Sequence, residues 1–248
     1  MKFEDHFSSQ SGQYAQFRPT YPDELYAYLV SITPSNQLAW DCGTGNGQAA
    51  VGLASHFERV FATDASANQI ANAYSHAKVE YHVADAERVA LESESADLVT
   101  VALAVHWFDF DNFYAEVRRV LKPNGVLAVW AYHLPSISPE TDKILLRYYS
   151  DILAGFWPER IGYVEERYGT LPFPFEEIQT PSIAMESRWD LSQFTGFLDS
   201  WSGTQRYIKQ NGDHPIKKIW DELSGDWEDE KEKRLVHWPL YLRIGRKT

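Results

Sequence analysis

A chain of 248 residues can form one large domain, and its 44% hydrophobic and 15% aromatic content provides a core and excludes an intrinsically disordered protein. The formal net charge of −12 argues against an extended nucleic-acid-binding surface, and the single cysteine, Cys42, excludes an intramolecular disulfide and a cysteine metal cluster. Residues 1–30 lack an apolar signal core and no apolar run reaches about 18 residues, so we expect a soluble, cytoplasmic protein without a membrane partner.

The first half of the chain predicts an alternation of strands and helices. Residues 1–21 are rich in aromatic side chains. This segment either packs over the core or closes over a bound ligand, and the sequence leaves both alternatives open. A helix is predicted from Pro22 to Ile32. Hydrophobic periodicity then predicts strands at 38–42, 59–64, 79–83, 97–105 and 126–132, and helices at 47–57, 66–74 and 111–121. Repeated strand–helix units indicate a parallel sheet with helices on both faces.

Beyond residue 133 the pattern is less regular. It predicts a helix at 141–156, a strand within 182–189, a helix at 191–201 capped by Asp190, and a last strand at 235–244. Pro239 within that strand suits an edge or a bulge. We interpret residues 1–248 as one domain, with an N-terminal cap and first helix (1–34), a ligand-binding core (35–133), a helical insertion on the substrate side (134–181) and C-terminal strands and helices (182–248).

A glycine-rich loop follows the first predicted strand. In Asp41-Cys-Gly-Thr-Gly-Asn-Gly47, glycines let the backbone turn sharply and lie close to a ligand. Ligands of open parallel sheets bind beyond the carboxyl ends of the strands, and Asp41, Asp64, Asp85, His106 and His133 all fall at such ends. These residues are therefore the candidates for a binding site.

The acidic residues indicate the kind of ligand. Asp64 is placed to accept hydrogen bonds from ribose hydroxyls, and Asp85 from the amino group of a base. Gln48 stands where a dinucleotide-binding loop has glycine or alanine, so a ligand with adenosine but no pyrophosphate fits better, and the acidic surroundings suit a cationic one. Asp41 either orients the glycine loop or contacts the ligand directly, and the sequence leaves both roles open.

These features together resemble the class I S-adenosylmethionine-dependent methyltransferases, whose first motif is similar to Asp41–Gly47 and whose segment before and within strand five is similar to Glu116–Val129. The resemblance implies an α/β, Rossmann-like fold with a mostly parallel seven-stranded sheet, helices on both faces and an antiparallel C-terminal strand. It also implies S-adenosylmethionine as cofactor and S-adenosylhomocysteine as product. The cofactor-binding residues expected from it are Tyr14, Arg18, Asp41, Gly43, Thr44, Gly45, Gly47, Asp64, Ala65, Asp85, Ala86, Ala104 and Trp107.

The flanking segments resemble a narrower group. Phe7, Tyr14–Pro22, His106–Phe108 and Trp189–Tyr207 are similar to type 11 methyltransferases of the trans-aconitate methyltransferase-like kind, which act on small molecules. By this resemblance Tyr14 and Arg18 close over the methionine end of the cofactor, with Arg18 near its carboxylate. The expected function is methyl transfer to a small molecule, with a carboxylate as one option.

Several roles stay open. His106 and His133 are each a candidate general base or a packing residue, and a carboxylate acceptor needs no base. Candidate anchors for an anionic acceptor are Arg147, Arg160, Arg167 and Arg206. The alternative functions are a non-catalytic S-adenosylmethionine-binding protein, a methyltransferase acting on a protein, and a nicotinamide oxidoreductase, which Gln48 and the strand-five segment disfavour. No metal is expected, and the choice between monomer and homodimer is open.

Overall fold

The structure is a computed structural model that describes residues 17–248, so the interpretations of residues 1–16, among them Tyr14 as a cofactor ligand, lie outside the described residues. The strands are β1 (Leu38–Cys42), β2 (Arg59–Asp64), β3 (Val79–Val83), β4 (Ala96–Ala102), β5 (Leu121–Ala131), β6 (Glu176–Glu177), β7 (Ala184–Trp189), β8 (Arg234–Pro239) and β9 (Tyr241–Arg246). The α-helices are α1 (Asp23–Ile32), α2 (Gln48–Ala54), α3 (Ala67–Ala71), α4 (Phe110–Val120), α5 (Pro139–Arg147), α6 (Gly162–Glu165), α7 (Leu191–Asp199), α8 (Ser202–Asn211) and α9 (Trp220–Trp227). Each helix in this part of the chain is too short or too polar to cross a membrane.

The strands form one large sheet and one small sheet. The large sheet has seven strands in the order β3-β2-β1-β4-β5-β9-β6. Neighbours among β1 to β5 are parallel, whereas β9 runs antiparallel to both β5 and β6. β7 and β8 pair antiparallel in a separate two-stranded sheet. The predicted Rossmann-like α/β fold with an antiparallel C-terminal strand is confirmed.

The central strands are buried because helices cover both faces of the large sheet. All five residues of β1 are buried, and its side chains alternate between two hydrophobic clusters. Ala39 lies in the cluster that contains residues of α1 and α2, while Trp40 lies in the cluster that contains residues of α4. β1 and β4 are neighbours in the middle of the sheet, so their carboxyl ends lie side by side.

Two predicted elements of the second half are divided in the structure. The helix predicted at 141–156 is α-helical only to Arg147, continues as a π-turn over Tyr148–Ile152, and is followed by Gly155 with a φ of +79°. The strand predicted at 235–244 is two strands, β8 and β9, which belong to different sheets. The break lies at Pro239, which has no amide hydrogen to donate, and at Leu240, whose amide donates to the carbonyl of Ile183.

Two predicted helix caps are confirmed. Ser66 accepts a hydrogen bond from the amide of Gln69 at the start of α3, with a donor–acceptor distance of 3.3 Å. Asp190 accepts one from the amide of Gln193 at 2.9 Å, and the side chain of Gln193 accepts in return from the amide of Asp190. These caps fix where α3 and α7 begin.

Candidate functional site

The glycine loop between β1 and α2 has backbone angles that residues with a side chain rarely adopt. Gly43, Gly45 and Gly47 have φ values of +68°, +56° and +85°. A Cβ on Gly43 would stand 2.6 Å from the Cβ of Ala104, and one on Gly47 would overlap the phenol of Tyr81. A Cβ on Gly45 would meet no heavy atom within 4 Å. The loop is therefore packed at its two ends and open at Gly45, which is where a ligand can approach the backbone.

Asp64 joins this loop to the next helix. Its carboxylate accepts hydrogen bonds from the amide of Gly45 and from the amide of Ser66, each at 2.9 Å. Asp64 is half-buried, and its carboxylate is a hydrogen-bond acceptor, the kind of group that suits a hydroxyl donor. The structure thus places Asp64 beside Gly45, where the sequence predicts it, while the hydrogen bond to ribose stays a prediction.

Asp41 holds the glycine loop from inside the protein. It is 1% exposed, and its carboxylate accepts hydrogen bonds from the hydroxyls of Thr44 at 2.5 Å and Thr100 at 2.7 Å. Burial raises the pKa of Asp41 to about 6, against the effect of these two hydrogen bonds and with a smaller contribution from the charge of Asp64. Of the two open readings, the contacts favour the one in which Asp41 orients the loop.

Three other predicted cofactor residues, Ala65, Asp85 and Ala86, follow the ends of β2 and β3. Ala65 lies between Asp64 and the capping residue of α3 and is half-buried. Asp85 follows β3 with an exposed side chain, and its backbone carbonyl accepts a hydrogen bond from the amide of Arg88. Ala86 is buried in the hydrophobic cluster beneath. An exposed carboxylate after β3 is free to approach a ligand, but its predicted contact with a base is not tested.

The segment after β4 lies between the glycine loop and a cavity. β4 ends at Ala102, and Leu103 adopts a φ of +54° before the short 3₁₀ turn Val105–Trp107. Ala104 packs against Gly43, while Leu103, His106 and Trp107 line the cavity. This one short segment therefore touches both the place where a cofactor is expected and the place where a second molecule fits.

The cavity has a volume of about 100 Å³ and lies at the carboxyl ends of β4 and β5. Aromatic side chains dominate its wall, namely those of Trp107, Tyr132, Tyr149, Trp157, Phe197 and Trp201. Its polar lining includes Arg18, His106 and His133. The structure thus brings both candidate bases and Arg18 together around one cavity.

His106 is held from two sides by the segment that follows α5. Its Nδ1 lies 2.9 Å from the hydroxyl of Tyr168, and Arg160 donates hydrogen bonds to the carbonyls of His106 at 3.0 Å and Phe108 at 2.9 Å. Burial, with a smaller contribution from the Arg160 charge, lowers the pKa of His106 to about 3. The imidazole is therefore neutral and weakly basic at physiological pH.

His133 follows β5 on the opposite side of the cavity. Its ring packs edge-on against Tyr149, with 4.7 Å between the ring centroids. Its Nε2 is buried and makes no hydrogen bond with any residue that the structure describes. Burial lowers the pKa of His133, so this ring too favours its neutral form. The geometry leaves its role as a base a prediction.

Arg18 lies where the N-terminal segment meets the cavity. It donates hydrogen bonds to the hydroxyl of Tyr132 at 3.1 Å and to the carbonyl of Ser200 at 3.3 Å. Its guanidinium carbon is 5.4 Å from the centroid of the Phe197 ring. A positive charge is thus fixed at the edge of the aromatic wall.

The arginines considered as anchors for an anionic acceptor lie elsewhere. Arg147 pairs with Glu222 at 2.5 Å, Arg160 holds backbone carbonyls, and the guanidinium of Arg167 lies 5.1 Å from the ring centroid of Tyr241. None of these three, nor Arg206, is among the described residues that line the cavity. Among the described residues, Arg18 is the arginine that lines the cavity.

Two residues of the site have no signal in the sequence. Thr100 lies within an apolar strand, and its contact with Asp41 depends on the pairing of β4 with β1. Tyr168 lies in an irregular segment and has a φ of +61°, which local sequence does not predict for a tyrosine. Both reach the site through contacts more than 50 residues apart in the chain.

Comparison with known proteins gives one family. A family model described as a methyltransferase domain matches residues 40–129. A candidate methyltransferase of Dictyostelium discoideum is 35% identical over 253 residues, covering 99% of this chain and 96% of that protein. The Saccharomyces cerevisiae protein CRG1, described as a probable S-adenosylmethionine-dependent methyltransferase, is 23% identical and covers 83% of each chain.

A solved structure agrees with these sequence relatives. It comes from Anaeromyxobacter dehalogenans, is described as a candidate type II methyltransferase, and is 42% identical to this chain. The TM-score is 0.88, with 93% of this chain and 98% of that chain covered. The similarity therefore extends over the whole fold, including the segments that form the cavity.

Proposed function

The chain belongs to the methyltransferase domain family of class I S-adenosylmethionine-dependent enzymes, and from that membership we propose that it transfers a methyl group from S-adenosylmethionine to a small molecule. The observation that carries the proposal is the segment Leu103–Trp107, which touches the glycine loop on one side and lines the cavity on the other. A cofactor at the loop and an acceptor in the cavity would be neighbours.

The residues at the loop fit such a cofactor. The open space at Gly45 accepts a ligand against the backbone, and the carboxylate of Asp64, which is hydrogen-bonded to the Gly45 amide beside that space, suits ribose hydroxyls. Asp85 would accept from the adenine amino group, and Arg18 would donate to the carboxylate of the methionine part. The carboxylates of Asp41 and Asp64 also make this place favourable for a cation.

The chain's contribution to the reaction is alignment and exclusion of water. S-adenosylmethionine supplies a methyl group on a sulfonium that is already activated for displacement. The aromatic wall would hold the acceptor in line with that methyl group and keep solvent away. Because His106 is a weak base, an acceptor that is already ionised, such as a carboxylate, suits this site better than one that must lose a proton there.

The size of the cavity favours a small acceptor over a protein. About 100 Å³ enclosed by rings accommodates a small molecule, whereas a protein substrate requires a groove for an extended peptide. The trans-aconitate methyltransferase-like subtype stays a prediction, and the four arginines considered as anchors for an anionic acceptor lie outside the cavity.

The test is a screen for methylated products. The purified protein is incubated with S-adenosylmethionine and a panel of small acids, phenols and amines, and products are identified by mass spectrometry. We expect at least one methylated acceptor, together with S-adenosylhomocysteine, and none with an Asp64→Ala control. Binding of S-adenosylhomocysteine without turnover on any acceptor would instead support a non-catalytic binding protein, and labelled polypeptide in a cell extract would support a protein substrate.

A further inference from the structure

The composition of the cavity wall indicates the class of acceptor. We propose, on the basis of the proposed methyltransferase function, that the cavity binds a small aromatic molecule carrying a hydrogen-bond-accepting oxygen, and that the Nε2–H of His106, fixed by Tyr168, donates to that oxygen. Among methyl acceptors of this class, an aromatic carboxylic acid is already ionised and needs no base, while phenol serves as an uncharged binding probe for the same hydrogen bond.

A stacked pair of rings forms one wall of the cavity. Tyr149 and Trp157 are stacked, with ring centroids 4.4 Å apart and an interplanar angle of 29°. The indole of Trp157 donates a hydrogen bond to the carbonyl of Tyr149 and lies against Gly203, where a Cβ would stand only 3.0 Å from the ring. Flat walls fixed in this way favour a planar guest, because aromatic rings gain from offset and edge-to-face contacts.

The volume of the cavity fits a single ring. An apolar cavity of roughly 150 Å³ in another protein is known to bind benzene, and this cavity is smaller, at about 100 Å³, and partly open to solvent. A single ring fills it, and a guest of several fused rings would extend out of it.

The charges that line the cavity do not favour a cationic guest. Aromatic walls also bind ammonium groups, usually with a carboxylate in contact with the guest. The described residues that line the cavity include no aspartate or glutamate, and Glu165 behind the wall is held by a hydrogen bond from the Tyr149 hydroxyl. An electron-rich or anionic oxygen is therefore the favoured polar group of the guest.

The donor for that oxygen follows from the partner of His106. Tyr168 is fully buried, and its hydroxyl has the Nδ1 of His106 as its hydrogen-bond partner among the described residues. If Nδ1 carried the proton, the hydroxyl hydrogen of Tyr168 would be buried without an acceptor, which is unfavourable. Tyr168 therefore donates to Nδ1, and in a neutral ring the proton is on Nε2.

The backbone supports this arrangement at a conformational cost. Arg167 and Tyr168 have φ values of +55° and +61°, in the left-handed region that non-glycine residues rarely adopt. Arg243 donates a hydrogen bond to the carbonyl of Tyr168 at 3.1 Å, and Arg160 holds the carbonyl of His106 at 3.0 Å. Both members of the His106–Tyr168 pair are thus fixed through their main chain as well as through their side chains.

Binding of three probes tests the proposal. In the presence of S-adenosylhomocysteine, phenol, toluene and benzylammonium are titrated while the fluorescence of the cavity tryptophans is followed. We expect phenol to bind tightest, with Tyr168→Phe weakening phenol about fivefold and leaving toluene unchanged. Tyr163→Phe is the matched control, since Tyr163 lies in the same segment outside the cavity lining, and it should change neither affinity.

A second measurement keeps the proposal independent of how the variants fold. Two-bond ¹H–¹⁵N correlation spectra of the wild-type protein distinguish histidine tautomers, and we expect His106 with its proton on Nε2. A proton on Nδ1, or equal affinities for the three probes, would overturn the inference while leaving the proposed function intact. Preferential binding of benzylammonium would also overturn it, in favour of a cationic acceptor. Failure of S-adenosylhomocysteine to bind would refute the proposed function itself.

Discussion

Replacing the buried Asp41 by asparagine is predicted to stabilise the ligand-free protein at neutral pH. Asp41 is 1% exposed and burial raises its pKa to about 6, from an ordinary value of 3.8. At about 1.4 kcal/mol for each factor of ten in the acid constant, this difference corresponds to about 3 kcal/mol of unfavourable free energy in the folded state.

The sign of the pH dependence follows from the direction of the shift. A raised pKa means that the folded protein binds this proton more tightly than the unfolded chain does. The unfavourable contribution of the Asp41 charge to folding is therefore absent below a pH of about 4 and grows between pH values of about 4 and 6. It has its full size above a pH of about 6. Asparagine has the same shape without the charge, but one of the Thr44 and Thr100 hydroxyls must then accept instead of donate. We therefore expect a net gain of about 1–3 kcal/mol at pH 7.5.

Urea denaturation of wild type and Asp41→Asn at several pH values measures this effect. The difference between the two proteins should shrink to near zero or reverse at pH 4. Asp97→Asn is the matched control, because Lys122 and the Ser35 hydroxyl lower the pKa of this buried carboxylate despite its burial. That variant should lose stability at pH 7.5. If Asp41→Asn is less stable than wild type by the same amount at both pH values, the buried charge is not a cost to folding.

Three further changes test the site and its support. Asp64→Ala removes the acceptor for the amides of Gly45 and Ser66 and should weaken S-adenosylhomocysteine at least tenfold with the fold retained; calorimetry showing unchanged affinity would remove Asp64 from the site. Gly45→Ala should destabilise the protein by about 1 kcal/mol and block binding of the cofactor. Gly212→Ala is the control, because Gly212 at the end of α8 has a φ of +68° and equally open space around it. It should destabilise the protein by a similar amount without affecting the affinity for the cofactor. Asp97→Ala removes the carboxylate that accepts from Lys122 and from the amides of Gln37 and Leu38, while Lys122 keeps the Gln37 side chain as an acceptor, and it should lower the free energy of unfolding by about 2–3 kcal/mol. Because the pKa of Asp97 is lowered, its contribution in the wild type should disappear as the pH falls below about 4, and a pH-independent loss would contradict this.

The glycine loop and the carboxylates of Asp41 and Asp64 beside it could be predicted because their signals are local. Strand-end position places Asp41 and Asp64 next to each other once the strands are parallel, and alternate glycines at 43, 45 and 47 reveal where the backbone needs left-handed angles. The family resemblance combined these signals at the correct spacing, and the relatives confirm it.

The acceptor half could not be predicted because its contacts are long-range. Tyr168 meets His106 across 62 residues of sequence, and the cavity wall combines β4, β5, the segment after α5, and α7. Arg160 could be recognised as a cation but not as a donor to the carbonyl of His106, since that depends on where an irregular segment packs. The sequence predicts the final strand as one element, because the division at Pro239 and Leu240 depends on which sheet each half joins.

The most direct test of the account is the shift in thermal unfolding produced by S-adenosylmethionine, S-adenosylhomocysteine and NAD. A ligand present at about 100 times its Kd stabilises the folded protein by roughly 3 kcal/mol, which raises the Tm of a chain of this size by several degrees. We predict such a shift with S-adenosylmethionine and S-adenosylhomocysteine, none with NAD, and loss of the shift in Asp64→Ala. Stabilisation by NAD alone would contradict the account.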